Sequence, residues 1–295
     1  MKALYWFNAI RPKTLLASIG PVLIGLSISY ADNSMSLAKP LVAILTLLCA
    51  VLIQIGSNIS NDLFDYINGA DNEKRLGPKR AAQSGLLSVR ELAIGTVVVF
   101  LCSVLIGLYL FYTSLSWSIV LIGLVSIAMA VLYTGGPYPL GYYGFGDILV
   151  LIFFGIIPVQ GTYLLQLGSW SQIGLAYGLL IGCAITSIIV VNNLRDIESD
   201  RDAKKFTLAV MLGKKFAIFE YIFLMCISFF GLTYFASSSS TSILYLVLLI
   251  LVPIIFILIR SVINKTGSEL NAVLAATSLY CFVYSIVSAI VIIFK

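Results

Sequence analysis

The stretch Asn58-Ile-Ser-Asn-Asp-Leu-Phe-Asp-Tyr-Ile-Asn-Gly-Ala-Asp71 closes a long apolar run in a chain otherwise nearly free of charge. Asn58, Asn61, Asp62 and Asp65 stand at i, i+3, i+4 and i+7, so a helix continuing through them presents all four on one face. Three carboxylates in so short a segment, Asp62, Asp65 and Asp71, repel one another unless a cation sits between them. Hard oxygen ligands of this kind suit Mg2+, which keeps several waters and shares its shell with substrate phosphates.

A second cluster answers the first: Asn192-Asn193-Leu-Arg195-Asp196-Ile-Glu-Ser-Asp200-Arg201, again at the end of an apolar run. Asn192, Asp196 and Asp200 recur at i, i+4 and i+8, roughly one helical face. The Asn-x-x-x-Asp spacing of Asn58 to Asp62 repeats in Asn192 to Asp196, which reads as an internal pseudo-repeat.

The rest of the composition says where these clusters lie. Of 295 residues, 60% are hydrophobic and 11% charged, far below the roughly 25% charge of a soluble domain. Nine apolar runs are long enough to span a bilayer: 14–31, 39–62, 91–112, 116–133, 145–167, 171–194, 214–236, 241–263 and 269–294. The expected fold class is an all-α polytopic membrane bundle of nine transmembrane helices. With the N-terminus in the cytoplasm, every Lys and Arg except Lys39 and Lys295 falls on the cytoplasmic side, a strong positive-inside signal. An odd number of spans then puts the C-terminus outside. Both acidic clusters end even-numbered spans and so face the cytoplasm. The net charge of +5 is therefore largely a topology signal and no nucleic-acid footprint.

Several chemistries drop out. The chain has no histidine, which removes imidazole acid/base catalysis and argues against a zinc or haem site. The five cysteines all lie in apolar stretches with no Cys-x-x-Cys spacing, as small core hydrophobes would. The first apolar run lacks an evident small-residue cleavage site, and no cleavable signal peptide is expected.

Two connections, about 63–90 and 195–213, are much longer than the others. In each, an acidic cluster is followed by basic residues: Lys74, Arg75, Lys79 and Arg80 in the first, Arg201, Lys204 and Lys205 in the second. Carboxylates beside a cationic rim are what a Mg2+ diphosphate requires. An isoprenoid tail could lie along the apolar helices behind it.

These residues also carry a resemblance. The chain resembles the UbiA superfamily of intramembrane prenyltransferases, and within it the 1,4-dihydroxy-2-naphthoate polyprenyltransferase branch. The carriers are Arg11-Pro12-Lys13-Thr14 with Gly20-Pro21-Val22; Asn61-Asp62-x-x-Asp65 with Asp71; Gly77-Pro78-Lys79-Arg80 with Gln83 and Gly85; Tyr133-Thr134-Gly135-Gly136-Pro137-Tyr138-Pro139-Leu140-Gly141-Tyr142 with Gly146-Asp147; and Asn192-Asn193-x-Arg195-Asp196-x-x-x-Asp200-Arg201 with Lys205, Thr207 and Leu208. The likeness covers residues 11 to about 213; the last three spans carry little of it. One departure stands out: Lys204-Lys205 occupies the place where Gly-Lys is expected.

The resemblance implies one membrane prenyltransferase domain over 1–295, multi-pass in the cell membrane, with its active site facing the cytoplasm. It implies Mg2+-dependent transfer of a polyprenyl group from polyprenyl diphosphate to 1,4-dihydroxy-2-naphthoate, with loss of CO2, giving a demethylmenaquinone. In that reading Asp62, Asp65, Asp71, Asp196 and Asp200 hold the metal. Asn58, Asn61 and Asn192 bind diphosphate or orient metal-bound water. Lys79, Arg80 and Arg195 take phosphate oxygens. Tyr133, with Tyr138 and Tyr142, flanks the cation or the acceptor, and Asp71 and Asp147 assist with a proton or the metal. Plainer roles exist for several of them: topology charges for the Lys and Arg residues, interfacial anchors for the tyrosines, helix-end charges for Glu220 and Glu269.

Three rivals remain open on the sequence. A sibling enzyme would use 4-hydroxybenzoate, homogentisate or another acceptor; the Asp65 to Asp71 spacing and the Tyr-Thr-Gly-Gly-Pro loop argue against it. A secondary transporter would place ionisable groups within its spans, whereas here they stand at span ends. A phosphotransferase acting on CDP-activated lipids would pack its aspartates into one segment.

Overall fold

The computed structural model describes residues 2–71, 76–78, 80–237 and 243–295. Lys74, Arg75 and Lys79, expected on the cationic rim, lie outside the described residues. Among the described residues the regular structure is all helical.

A short helix α1 (Lys2–Ile10) precedes α2 (Pro12–Asp32), α3 (Pro40–Ile67), α4 (Val89–Ser114) and α5 (Trp117–Leu132). There follow α6 (Gly146–Leu167), α7 (Gln172–Arg195), two short helices α8 (Ile197–Asp202) and α9 (Leu208–Leu212), then α10 (Lys214–Ser237), α11 (Leu246–Asn264) and α12 (Leu270–Phe294). Helices suit this composition because each backbone amide is satisfied within its own segment, which a bilayer demands. Their ends follow local chemistry. Pro12 and Pro40 open α2 and α3 at the first turn, where a missing N–H costs nothing. Ser88 and Glu91 form a reciprocal capping box on α4. Gly168, at φ 75°, closes α6.

Among the described residues eight helices are long and apolar enough to cross a membrane. The fourth apolar run, 116–133, forms α5, only 16 residues, or about 24 Å at 1.5 Å per residue, against a hydrocarbon core of about 30 Å. The multi-pass membrane architecture is thus plain.

Two packing systems build the bundle. In one, α2 packs against α12 and α6, and α7 against α10 and the middle of α6. This half carries the main apolar core, including Ile24, Ile181, Tyr221, Met225 and Tyr284. In the other, α3 pairs with α4, and α5 leans on both. The seam between α6 and α7 is unusually close. A Cβ on Gly155 would lie 2.5 Å from both the Gly178 carbonyl oxygen and the Gly182 Cα. Gly155 falls in a π-helical turn, Ile152–Ile156, where the widened helix brings backbone against backbone. Between the two systems runs a cavity of about 330 Å3, walled by α2, α3, α4, α5, α6 and α7. Its polar residues gather at the ends of α3 and α7.

Candidate active site

The long helix α3 carries the first motif past the apolar run by several residues, to Ile67. Its side chains divide between two tasks. Asn58, Asn61 and Asp65 line the large cavity. Asn58 Nδ2 donates to the Ile10 carbonyl (2.8 Å) and to Thr14 Oγ1 (3.1 Å), and its amide oxygen accepts from Gln54. Asn61 Oδ1 accepts from Thr134 Oγ1 at 2.9 Å. Asp62 instead turns to the following loop, accepting the amides of Ala81 (3.1 Å) and Ala82 (3.4 Å). It lines neither polar nor apolar cavity.

That loop delivers Arg80 into the site. One guanidinium nitrogen, Nη1, meets Asp65 at 2.6 Å, Asp71 at 3.1 Å and the Asn61 carbonyl at 2.7 Å. Burial opposes the Arg80 charge, but Asp65, Asp71 and Asp62 outweigh it and raise its pKa above the ordinary guanidinium value. The other oxygen of Asp65 accepts from the Tyr142 hydroxyl at 2.8 Å. Burial, then Asp65, pushes that phenol up.

The second motif straddles the end of α7. The helix stops at Arg195, and α8 resumes at Ile197. Despite the break, Asn192, Asp196 and Asp200 line one small polar cavity together with Asp65, Asp71, Arg80 and Lys205. Thus residues of the two acidic motifs, far apart in the chain, line one and the same cavity. Arg195 does not join them. It lies against Asp196, donates to Asn192 Oδ1 and reaches across to Asn271 Oδ1, both at 2.8 Å. It ties α7 to α12, and Asn271 in turn holds the Leu76 carbonyl. Tyr133 lines the large cavity, whereas Tyr138 is 72% exposed and away from it. Lys205, which sequence reasoning left without a firm role, lines both cavities. Its Nζ stands 3.6 Å from Asp200 and 5.5 Å from the centre of the Tyr142 ring. Gln54 and Asn271 carry no reading in the sequence, and Thr134 only a place in a motif; Gln54 holds Asn58 one turn along α3, whereas Thr134 and Asn271 hold Asn61 and Arg195 through long-range contacts that leave no local signal.

The departure from the expected Gly-Lys pair has a structural consequence. Lys204 adopts φ 56°, the left-handed region that favours glycine. A side chain there costs roughly 1 kcal/mol. Lys204→Gly is expected to raise stability by about that amount, read as a higher melting temperature of the detergent-purified protein.

The donor set suits a hard divalent cation. It offers carboxylate and amide oxygens and neither thiol nor imidazole. Asp200 Oδ2 is buried and without a hydrogen-bond partner among the described residues. No three of the described acids converge on one point unaided. A cation held here would complete its shell with water and phosphate oxygens, as Mg2+ does. Burial pushes the Asp200 carboxyl up to about 6; Lys205 opposes this, and Asp196 and Asp65 add to it. The folded value exceeds the unfolded one. In the ion-free protein this group therefore stabilises the fold fully only below about pH 4, and that contribution is lost as pH rises through about 6. A cation needs the ionised form. Mg2+ affinity is accordingly expected to be level above about pH 7 and to weaken below about pH 6, in a binding titration between about pH 5 and 8.

Comparison with known proteins gives the family of the chain. The model of the UbiA prenyltransferase family fits residues 18–290. A 1,4-dihydroxy-2-naphthoate octaprenyltransferase of Haemophilus influenzae is 39% identical over 213 residues, 70% of this chain and 69% of that protein. The protein of the same name from Escherichia coli is 35% identical over 214 residues, 71% of this chain and 68% of its own. In structure, a UbiA homolog from Archaeoglobus fulgidus bound to DMAPP and Mg2+ superposes with a TM-score of 0.70 at 15% identity, covering 97% of this chain and 98% of that one. With its fold matched end to end and its sequence matched from residue 18 to 290, this multi-pass membrane protein belongs to the UbiA prenyltransferase family.

Proposed function

We propose that the protein transfers a polyprenyl group from polyprenyl diphosphate to 1,4-dihydroxy-2-naphthoate, with loss of CO2, at the cytoplasmic face of the cell membrane. The observation that carries the reading is the meeting of Asp65, Asp71, Asn192, Asp196 and Asp200 with Arg80 and Lys205 at the polar end of an apolar cavity of about 330 Å3. The names of the relatives at 35% and 39% identity favour naphthoate as the acceptor, and the distribution of Lys and Arg favours the cytoplasmic side.

Magnesium, when bound by Asp65, Asp71, Asp196 and Asp200, supplies the charge that lets diphosphate leave. The chain itself does the rest. Arg80 and Lys205 bind phosphate oxygens and stay with the leaving group as charge builds on it. Asp65 and Asp71 hold the Arg80 guanidinium at the cavity mouth. Asp62 acts one step back, fixing the amides of Ala81 and Ala82 and so the Arg80 loop. The prenyl tail lies among the α2 to α7 walls, where water is excluded and an allylic cation is not quenched. Tyr133 presents its ring to that space. Asn58 and Asn192 steady the phosphate end, and Arg195 sets the position of Asp196 and Asn192.

The test is a product assay in membranes with polyprenyl diphosphate and Mg2+, offering 1,4-dihydroxy-2-naphthoate and 4-hydroxybenzoate separately. Prenylated naphthoquinone with release of CO2 is the expected result. Prenylated hydroxybenzoate instead would keep the chemistry and overturn the acceptor.

A further inference from the structure

The polar face of α3 does not stop at Asn58. Gln54 lies one turn further from the diphosphate end. Gln54, Asn58, Asn61 and Asp65 stand at i, i+4, i+7 and i+11, and all four line the large cavity. Gln54 is 7% exposed, and its Oε1 has no hydrogen-bond partner among the described residues. Other polar groups of the same wall are spent: the hydroxyls of Ser18, Thr46 and Thr162 donate to carbonyls of their own helices. An amide oxygen left unpaired in apolar surroundings is costly, and each such group calls for a reason.

The neighbours fix which atom of Gln54 is free. The Ile10 carbonyl can only accept, so the atom of Asn58 that lies 2.8 Å from it is Nδ2. The same nitrogen donates to Thr14 Oγ1, whose own proton goes to the Arg11 carbonyl. Asn58 therefore turns Oδ1 toward Gln54, and Gln54 answers with Nε2 at 3.3 Å. What remains is Oε1, an atom that can only accept, on a residue of the cavity wall.

Of the two substrates in the reading above, only one brings a donor. An isoprenoid tail is hydrocarbon, and a Mg2+ diphosphate presents acceptor oxygens. A dihydroxylated aromatic ring carries two O–H groups. Gln54 stands 11 residues before Asp65, about 16 Å along α3, which leaves room for the diphosphate and a bicyclic ring end to end. The ring carbon that takes the prenyl group has to face the diphosphate end. The hydroxyl that reaches Gln54 is then the one farther from that carbon.

We infer that Gln54 is a specificity residue for the aromatic acceptor: its Oε1 takes the 4-hydroxyl of 1,4-dihydroxy-2-naphthoate, with Asn58 holding the amide in place. The inference rests on the naphthoate reading above.

The experiment measures binding of two ligands to the purified protein in vesicles: 1,4-dihydroxy-2-naphthoate and 1-hydroxy-2-naphthoate, which lacks the 4-hydroxyl. Wild type is expected to favour the first by about tenfold, the worth of one buried hydrogen bond. Gln54→Met, similar in length but with no acceptor oxygen, should abolish that preference by weakening the first ligand alone. Its Mg2+-dependent binding of polyprenyl diphosphate should hold within about twofold, and its turnover defect should lie in KM for the acceptor more than in kcat. Gln54→Glu keeps an acceptor oxygen at the same place and should restore most of the preference. The inference is overturned if Gln54→Met weakens both naphthoates equally or neither, if it loses prenyl diphosphate binding, or if Gln54→Glu fails to discriminate. A wild-type protein that neither binds nor prenylates 1,4-dihydroxy-2-naphthoate overturns the acceptor reading itself.

Discussion

Asp65→Asn is expected to lower kcat by roughly 1000-fold with little change in the amount of folded protein. Asp65 is the hinge of the site, because it faces both cavities and binds Arg80 through one oxygen and Tyr142 through the other. The neutral amide keeps the shape, so the packing around it survives. It loses the charge that holds the guanidinium and binds a cation. Asp62→Asn makes the useful contrast. Asp62 points at the amides of Ala81 and Ala82, away from the cavities. Its amide variant still offers one acceptor, and the defect should appear as a displaced Arg80 loop: a raised KM for prenyl diphosphate with a smaller fall in kcat. Steady-state kinetics on the two variants in vesicles separate these outcomes. Equal losses in both would place Asp62 at the reacting centre.

Arg80→Ala should be the most destabilising single change in the site. The Arg80 side chain is nearly buried and is the shared partner of two buried carboxylates. Removing it leaves Asp65 and Asp71 facing each other uncompensated, and it strips the hydrogen bond to the Asn61 carbonyl that holds loop to helix. Breaking a buried pair from one side costs about 3–5 kcal/mol. Arg80→Lys should recover only part, because a point charge on a flexible stem cannot reproduce three contacts. Added Mg2+ should raise the melting temperature of Arg80→Ala more than that of wild type, since a divalent cation replaces the missing charge between the two carboxylates. A melting curve for Arg80→Ala that matches wild type without Mg2+ would contradict the structure.

The fold was largely legible because a bilayer leaves few options. A run of about 20 apolar residues has to become a helix, and the all-helical, multi-pass architecture follows from counting such runs. The fourth run shows the limit: 116–133 marks α5 to within a residue at each end, but apolar length alone does not say whether its 16 residues cross the bilayer. The site was legible as two acidic motifs because spacing at three and four residues marks one helical face. That face is broad, however. On α3 it touches the cavity through Asn58, Asn61 and Asp65 and the returning loop through Asp62, and no spacing rule separates those neighbours. Arg195 resembled a phosphate ligand in sequence, yet in the fold it spends its donors on Asp196, Asn192 and Asn271. Contacts of that length, like those of Thr134 with Asn61 and Tyr142 with Asp65, belong to the fold and have no local signature. Lys204 is the opposite case: its left-handed backbone explains why glycine was expected there.

The central claim is that the motifs of α3 and α8 grip one and the same Mg2+ diphosphate. A double-mutant cycle tests it most directly: Mg2+-dependent binding of polyprenyl diphosphate to wild type, Asp65→Asn, Asp200→Asn and the double variant. If both carboxylates hold one complex, each single change weakens binding and the double variant binds no worse than the weaker single. Losses that simply multiply would mean two independent sites, and the shared clamp would be wrong.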